Sequence, residues 1–219
     1  MTGVPATAAY IDLGVLESNY RLIKAKLSAK TGILGIVKAD AYGHGAVKVS
    51  RRLEEIGIRY LGVATLEEAI ELREEKLKSP ILVLSGLMPW EEVEPFLHLN
   101  LTVVVHDFVT LREIRKHVGG TSTHLKIHVK FDTGMGRLGF QEKDVPEVIE
   151  EIRQTRHIDV EGVMSHFASS EARNDRGLEQ IKSFERIVQA FRKEGIEPGL
   201  VHMGNSGAII RYPEAHFDL

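Results

Sequence analysis

The sequence contains no cysteine. Disulfides and thiolate metal sites are therefore excluded. The absence fits the cytoplasm, where we expect the protein to reside. No apolar run approaches the roughly 20 residues that a membrane helix needs. The opening Met1–Tyr10 lacks a basic stretch leading into an apolar one, so it does not read as a secretory leader. Positive charge is not in excess: 28 Lys and Arg against 31 Asp and Glu leave a formal net charge of −3. Such a chain has no overall basic field to hold nucleic acid or an anionic lipid surface. A G-x-G-x-x-G turn after the first apolar run is also missing, which weakens a dinucleotide reading.

What is present is an ordinary globular composition, 43% hydrophobic and 27% charged, over a length that can bury one large core. No linker, low-complexity segment or charge block divides residues 1–219. Short apolar runs alternate with amphipathic stretches. Gly32–Val37 reads as a strand before a helix at Ala46–Ile56, and Tyr60–Ala64 as one before Leu66–Lys76. Pro80–Leu84 precedes a helix expected to open near Pro89, where proline suits a first turn. Leu101–Val105 precedes Val109–His117, and Leu125–Phe131 precedes Val145–Gln154. Val160–Met164 precedes a long helix at Leu178–Glu194, and Leu200–Met203 a short one at Ser206–Arg211. This is the repeating β/α pattern of a parallel sheet. Ahead of it, Ala8–Leu13 reads as a short strand and Val15–Lys26 as a helix.

An open doubly wound sheet and a closed barrel both accept this pattern. The polar residues favour the barrel. In Leu125–Phe131, Lys126, His128 and Lys130 share one face, while Leu125, Ile127, Val129 and Phe131 share the other. A strand covered by helices on both sides would be apolar on both faces. A barrel strand can point polar groups into a lumen instead. The expected fold is therefore an α/β (β/α)8 TIM-type barrel with an N-terminal strand–helix segment. The residues around His216–Leu219 begin an eighth strand, within which the chain breaks off.

Lys38 stands at the carboxyl end of the first strand, where barrel active sites sit. A lysine ending an apolar strand is costly unless its charge is paired or lost. In such a place its amine can lose its proton and attack an aldehyde. Gly43 and Gly45 allow close approach of a ligand to the backbone, and Tyr42 offers a hydroxyl. On these grounds alone, a lysine that merely reaches out of the barrel rim is as good a reading.

The run VKADAYGHG (Val37–Gly45) resembles the cofactor-lysine motif of alanine racemases. KFDTGMGRLG (Lys130–Gly139) resembles a second motif of that family. Ser165-His166-Phe167-Ala168 and Asn205-Ser206-Gly207-Ala208 resemble two more, in the family's order, and the opening AYIDLGVLESNY matches as well. The resemblance covers nearly the whole chain. It implies a pyridoxal 5′-phosphate-dependent isomerase interconverting L- and D-alanine, feeding cell-wall (peptidoglycan) precursor synthesis as a cytoplasmic homodimer. Lys38 would anchor the cofactor as an imine and exchange the α-proton on one face of the amino acid. Tyr42 and Ser206 would bind the phosphate, with Asn205 beside them. His166 would pack near the cofactor ring. Arg137 would lie by the ring's phenolic oxygen and the substrate carboxylate. Lys130 matches a position that is often carbamylated, which would convert cation–cation repulsion into a pair.

The same resemblance places an arginine facing the pyridine nitrogen, and a phosphate-binding turn, just after Leu219. It also places the opposite-face tyrosine in a second, mainly β domain beyond residues 1–219. Residues 1–219 alone are thus expected to be inactive. The alternative is a single-domain barrel that binds pyridoxal phosphate without racemising anything. A third reading is a metal-dependent hydrolase using His166 and His202, but no matching carboxylates accompany them and no metal site is expected. Lys126 and His128 read as structural members of a hydrogen-bonded lumen. His44, His98, His117 and His157 read as surface or loop histidines. The acidic run Glu67, Glu68, Glu71, Glu74 and Glu75 reads as a solvated helix face.

Overall fold

A computed structural model describes residues 7–118 and 123–219. Residues 1–6, part of the stretch read for a leader, lie outside the described residues. Asp12 opens the first helix: its Oδ1 accepts from the N–H of Gly14 at 2.8 Å and of Val15 at 3.1 Å. These are donors that a helix start otherwise leaves free. The helix, α1 (Leu13–Lys24), buries no residue fully and leans on the barrel through Leu13, Leu16 and Tyr20. The strand expected at Ala8–Leu13 does not form. Residues 8–12 adopt no regular structure, and Tyr10 is 89% exposed. A strand needs a partner for its backbone groups, and no described segment pairs with this one.

There follow β1 (Leu34–Ile36), the tight turn α2 (Lys38–Gly43), α3 (Ala46–Glu55), β2 (Tyr60–Val63), α4 (Leu66–Glu74), β3 (Ile81–Val83), α5 (Glu94–His98), β4 (Thr102–Val105), α6 (Phe108–Val118), β5 (Leu125–Lys130), α7 (Val145–Gln154), β6 (Ile158–Met164), α8 (Asp175–Lys193), β7 (Leu200–His202) and α9 (Ser206–Arg211). The helix expected near Pro89 opens later, at Glu94, with Pro95 in its first turn. Glu91 folds back to accept from the Met88 N–H at 2.7 Å, which makes Pro89–Trp90 a local turn. Trp90 is exposed there and offers no apolar face for a helix to bury.

The seven strands are parallel and neighbour one another in chain order. Their outer faces, including Leu61, Val83, Val103, Ile127 and Val163, meet the helices in one apolar core. Burying each such side chain contributes about 1.5–3 kcal/mol. Leu34, Tyr60, Leu82, Val104, Met164 and Leu200 form a second cluster on the inside. Those residues come from six different strands, so the sheet must curl onto itself. Tyr60 on β2 reaches Glu161 on β6 across the lumen.

The gap between β7 and β1 is spanned by the last residues. Asp218 N–H donates to Val201 O at 2.8 Å, and Asp218 O accepts from Gly32 N–H at 2.7 Å. Thr31 Oγ1 donates to Phe217 O at 2.9 Å. Residues 217–219 thus occupy the eighth position of the curled sheet and link its two edges.

Candidate active site

The carboxyl ends of the strands surround a broad cavity of about 1320 Å³. Lys38, Tyr42, Lys130, Arg137, His166, Asn205 and Ser206 all line it. Residues up to 168 positions apart in the chain are therefore brought to one place by strand order alone.

Lys38 lies just past β1, after Val37, and is half-buried. The backbone turns sharply after it. Ala39, Asp40, Ala41 and Tyr42 have φ between 51° and 55°, a single left-handed turn. Each such non-glycine residue costs about 1–2 kcal/mol, so the turn has to be held by its surroundings. Asp40 Oδ1 accepts from the Ala46 N–H at 2.6 Å, and Asp40 O accepts from the Gly45 N–H at 3.0 Å. At the other end, Glu68 Oε1 accepts from the Ala39 N–H at 2.7 Å. Glu68 is thus not the solvated residue its acidic run implied. The turn delivers Tyr42, 61% exposed, to the cavity rim.

Lys130 ends β5 and is buried. The chain then loops out and returns, with Phe140 N–H donating to Lys130 O at 2.9 Å and Asp132 N–H to Phe140 O at 2.8 Å. Asp132 organises the loop: its carboxylate accepts from the N–H groups of Gly134, Met135 and Arg137 at 2.9, 2.8 and 3.0 Å. Gly139 is required, because a Cβ there would lie 2.5 Å from Asp132 N and its φ is +136°. The loop carries Arg137 back over Lys130. Burial, then Arg137 and Lys38, push the Lys130 amine below the ordinary lysine range, while Asp132 opposes them. His166 is pushed down to about 4 by burial and by Arg137, Lys130 and Lys38, so its ring is neutral at pH 7. The mouth gathers Lys38, Lys130 and Arg137 beside a neutral His166, and it suits an anionic occupant.

His166 follows β6. Its loop is held by Gln180 of α8, whose Oε1 accepts from the Ala168 N–H at 3.1 Å and whose Nε2 donates to His166 O at 3.3 Å. Asn205 caps α9, with Oδ1 accepting from the Ala208 N–H at 3.1 Å. That oxygen is therefore committed to the backbone, and Ser206 presents the freer side chain to the cavity.

Below the mouth lies a polar network whose centre, Glu161, was not singled out in the sequence. An irregularity in the β5–β6 register pairs Ile127 with Val160 but His128 with Gly162. The extra residue, Glu161, is turned inward, as bulges re-aim side chains. It accepts from Tyr60, and from Thr102 Oγ1 at 2.9 Å. His128 Nε2 stands 3.5 Å away, long for a full hydrogen bond. Gly162 makes room, since a Cβ there would be 2.8 Å from His128 Nε2. Burial pushes the Glu161 carboxyl up, but its contacts with His128, Tyr60 and Thr102 prevail and hold it at about 2. His128 Nδ1 lies 2.9 Å from His202 Nε2, and burial lowers both imidazoles below the ordinary histidine range. With Glu161 ionised, the His128 proton belongs on Nε2, so Nδ1 accepts from His202. The lumen reading of His128 and Lys126 holds: Lys126 Nζ lies 3.9 Å from Glu161. His166 and His202 do not form a metal pair with acidic residues; among the described residues no group of three or more His, Asp or Glu could hold a metal ion. Nor is any described helix long and apolar enough to cross a membrane.

The model of the family described as "Alanine racemase, N-terminal domain" matches residues 11–219. An alanine racemase of Geobacter sulfurreducens is 37% identical over 206 residues, which is 92% of this chain and 54% of that protein. One from Treponema denticola is 36% identical over 98% of this chain and 57% of its own length. Among solved structures, alanine racemase of Clostridium difficile 630 superposes with a TM-score of 0.89 at 34% identity, over 95% of this chain and 55% of that one. Alanine racemase from a D-cycloserine-producing Streptomyces lavendulae gives 0.90 at 32% identity, over 95% and 55%. The chain thus spans about half the length of the curated relatives it matches. The family match extends over nearly the whole of this chain, and the chain belongs to the alanine racemase N-terminal domain family.

Proposed function

We propose that residues 1–219 are the pyridoxal 5′-phosphate-binding barrel of an alanine racemase. In this reading a longer protein works as a cytoplasmic homodimer, supplying D-alanine for cell-wall precursors. The observation that carries the reading is the convergence of Lys38, Lys130, Arg137 and His166 on one cavity at the carboxyl ends of the strands. Pyridoxal phosphate is an anionic aldehyde, and the mouth offers an amine, cationic neighbours and two hydroxyls. When bound, the cofactor delocalises the negative charge left by removing the α-proton of an amino acid.

The residues divide the work by their chemistry. Lys38 supplies the amine that holds the aldehyde and, once released, moves a proton at the α-carbon from one side. Tyr42 and Ser206 donate hydroxyl hydrogens to the phosphate, beside Asn205. Neutral His166 packs against the ring without adding positive charge. Arg137 orients the substrate carboxylate. Lys130 is suited to carbamylation: its lowered basicity raises the share of free amine, which attacks carbon dioxide, forming the N–C bond and releasing a proton. The resulting carboxylate pairs with Arg137.

Racemisation needs a proton donor or acceptor on each face. Lys38 serves one face; the second group belongs, in this reading, to the part of the relatives that residues 1–219 do not span. Residues 1–219 alone are therefore proposed to be inactive. The test is borohydride reduction of the protein loaded with pyridoxal phosphate, followed by peptide mapping. The adduct is expected on Lys38, and an adduct on any other lysine would overturn the assignment.

A further inference from the structure

Glu68 lies in T-L-E-E (Thr65–Glu68), at the start of α4, a pattern that ordinarily closes a capping box. Half of that box is present: Thr65 Oγ1 accepts from the Glu68 N–H at 3.5 Å. The other half is not. In place of returning to the Thr65 N–H, the Glu68 carboxylate passes beyond it. Oε2 accepts from the Ala64 N–H at 2.6 Å, and Oε1 accepts from the Ala39 N–H at 2.7 Å. One side chain therefore joins the end of β2 to the residue immediately after Lys38.

That residue is also where the left-handed turn begins. The direction of the Ala39 N–H is fixed by the peptide plane it shares with Lys38, so a carboxylate gripping it fixes the backbone from which the lysine side chain departs. The Asp40 bonds secure the turn at its far end only. Charge-assisted bonds to backbone N–H groups are among the stronger ones, which suits a contact that must offset four left-handed residues. We infer that Glu68 is a positioning residue for Lys38: it locks the left-handed turn against β2 and so aims the amine into the cavity. The inference rests on Lys38 being the cofactor lysine.

The experiment compares Glu68→Gln, Glu68→Asp and Thr65→Ala. Each is stripped of cofactor, then mixed with pyridoxal phosphate, and the borohydride-trapped Lys38 adduct is followed in time and against pH, alongside thermal melting. Thr65→Ala removes the cap of the same helix without touching Ala39, and so reports the cost of loosening α4 alone. Glu68→Gln loses one acceptor oxygen and the charge, and is expected to slow adduct formation roughly tenfold or more and to displace its pH profile. Glu68→Asp keeps the charge with a shorter reach and is expected to fall between. Thr65→Ala is expected to melt earlier while forming adduct at the unsubstituted rate. If Glu68→Gln and Thr65→Ala melt alike and both keep the unsubstituted rate and pH profile, Glu68 is only a brace for α4 and the inference is overturned. If the unsubstituted protein forms no adduct at Lys38, the reading beneath the inference fails, and the inference falls with it.

Discussion

In the amino-terminal half of the lumen, Glu161 receives Tyr60, Thr102 and the edge of His128, and His128 in turn meets His202. At the mouth, Lys38, Lys130 and Arg137 face one cavity, and the nearby carboxylate of Asp132 is engaged by backbone N–H groups. Both regions are lined by polar residues, the lower one by inward faces of the strands and the upper one by the strand ends and the loops that follow them. The lower one is a closed network in which a buried charge has its donors, and it stabilises the barrel. The upper one holds like charges together with donors that an anion can use, and it costs stability until an anion arrives. Perturbed ionisation collects at functional sites for this reason.

The largest expected effect lies at the mouth. Lys38→Ala in the full-length protein should abolish the borohydride-trapped adduct and lower racemisation by at least the roughly 10²–10⁴-fold that a positioned acid–base group supplies. Its melting temperature without cofactor should stay close to that of the unsubstituted protein. A large loss of stability would show that Lys38 belongs to the structural network, and the contrast between the two regions would collapse.

The reverse pattern is expected below. Glu161→Ala leaves the hydroxyls of Tyr60 and Thr102 and the Nε2–H of His128 facing a void. We expect a loss of about 2–4 kcal/mol, measured by urea unfolding. The pH dependence follows in sign. A carboxyl held at about 2 in the folded chain and near 4.5 when unfolded contributes stability that is complete above 4.5 and lost as pH falls toward 2. Glu161→Gln should flatten the fall in stability between pH 5 and about 2. An unchanged slope would mean that other carboxylates dominate acid unfolding.

The sequence disclosed these regions unequally. The parallel β/α order was legible because apolar runs and amphipathic stretches alternate, and the mouth was legible because its residues cluster in local runs such as VKADAYGHG and KFDTGMGRLG. Each run encodes a complete loop: Asp132 and Gly139 show that the second closes on itself by its own backbone bonds. The lower network has no such local signature. Glu161 stands at the one-residue slip in the β5–β6 register, which leaves it without a partner on β5 and puts Gly162 opposite His128, and a slip of that kind leaves no mark in the alternation. Glu68 was hidden among acidic neighbours on one helix, since its partners Ala39 and Ala64 contribute only backbone. The strand expected at Ala8–Leu13 failed for a related reason: periodicity reports a face, and pairing needs a neighbour.

A smaller effect separates the regions by the sign of a stability change. Lys130 is buried among cations, so Lys130→Met should raise stability without cofactor by about 1 kcal/mol, as replacing a poorly compensated buried charge with an apolar isostere often does. It should also remove any carbamate signal seen by ¹³C NMR in labelled bicarbonate. Destabilisation would place Lys130 with the satisfied network below it.

The smallest effect concerns His166 at the mouth, whose ionisation has two separable causes. Burial is the first cause of its low pKa of about 4, and Arg137, Lys130 and Lys38 add to it. Burial is a property of the barrel; the cations are a property of the mouth. Arg137→Ala removes the largest of the charge contributions while leaving the strands packed, so the His166 resonance followed by NMR should titrate at a higher pH and still below the ordinary histidine value. The sign for stability is fixed by the same shift: a histidine held below its unfolded pKa costs stability as pH falls through the unfolded value toward 4, so Arg137→Ala should slightly soften the acid limb. A His166 pKa unmoved by Arg137→Ala would assign the whole depression to burial, and the mouth would no longer be a region set apart by its charge.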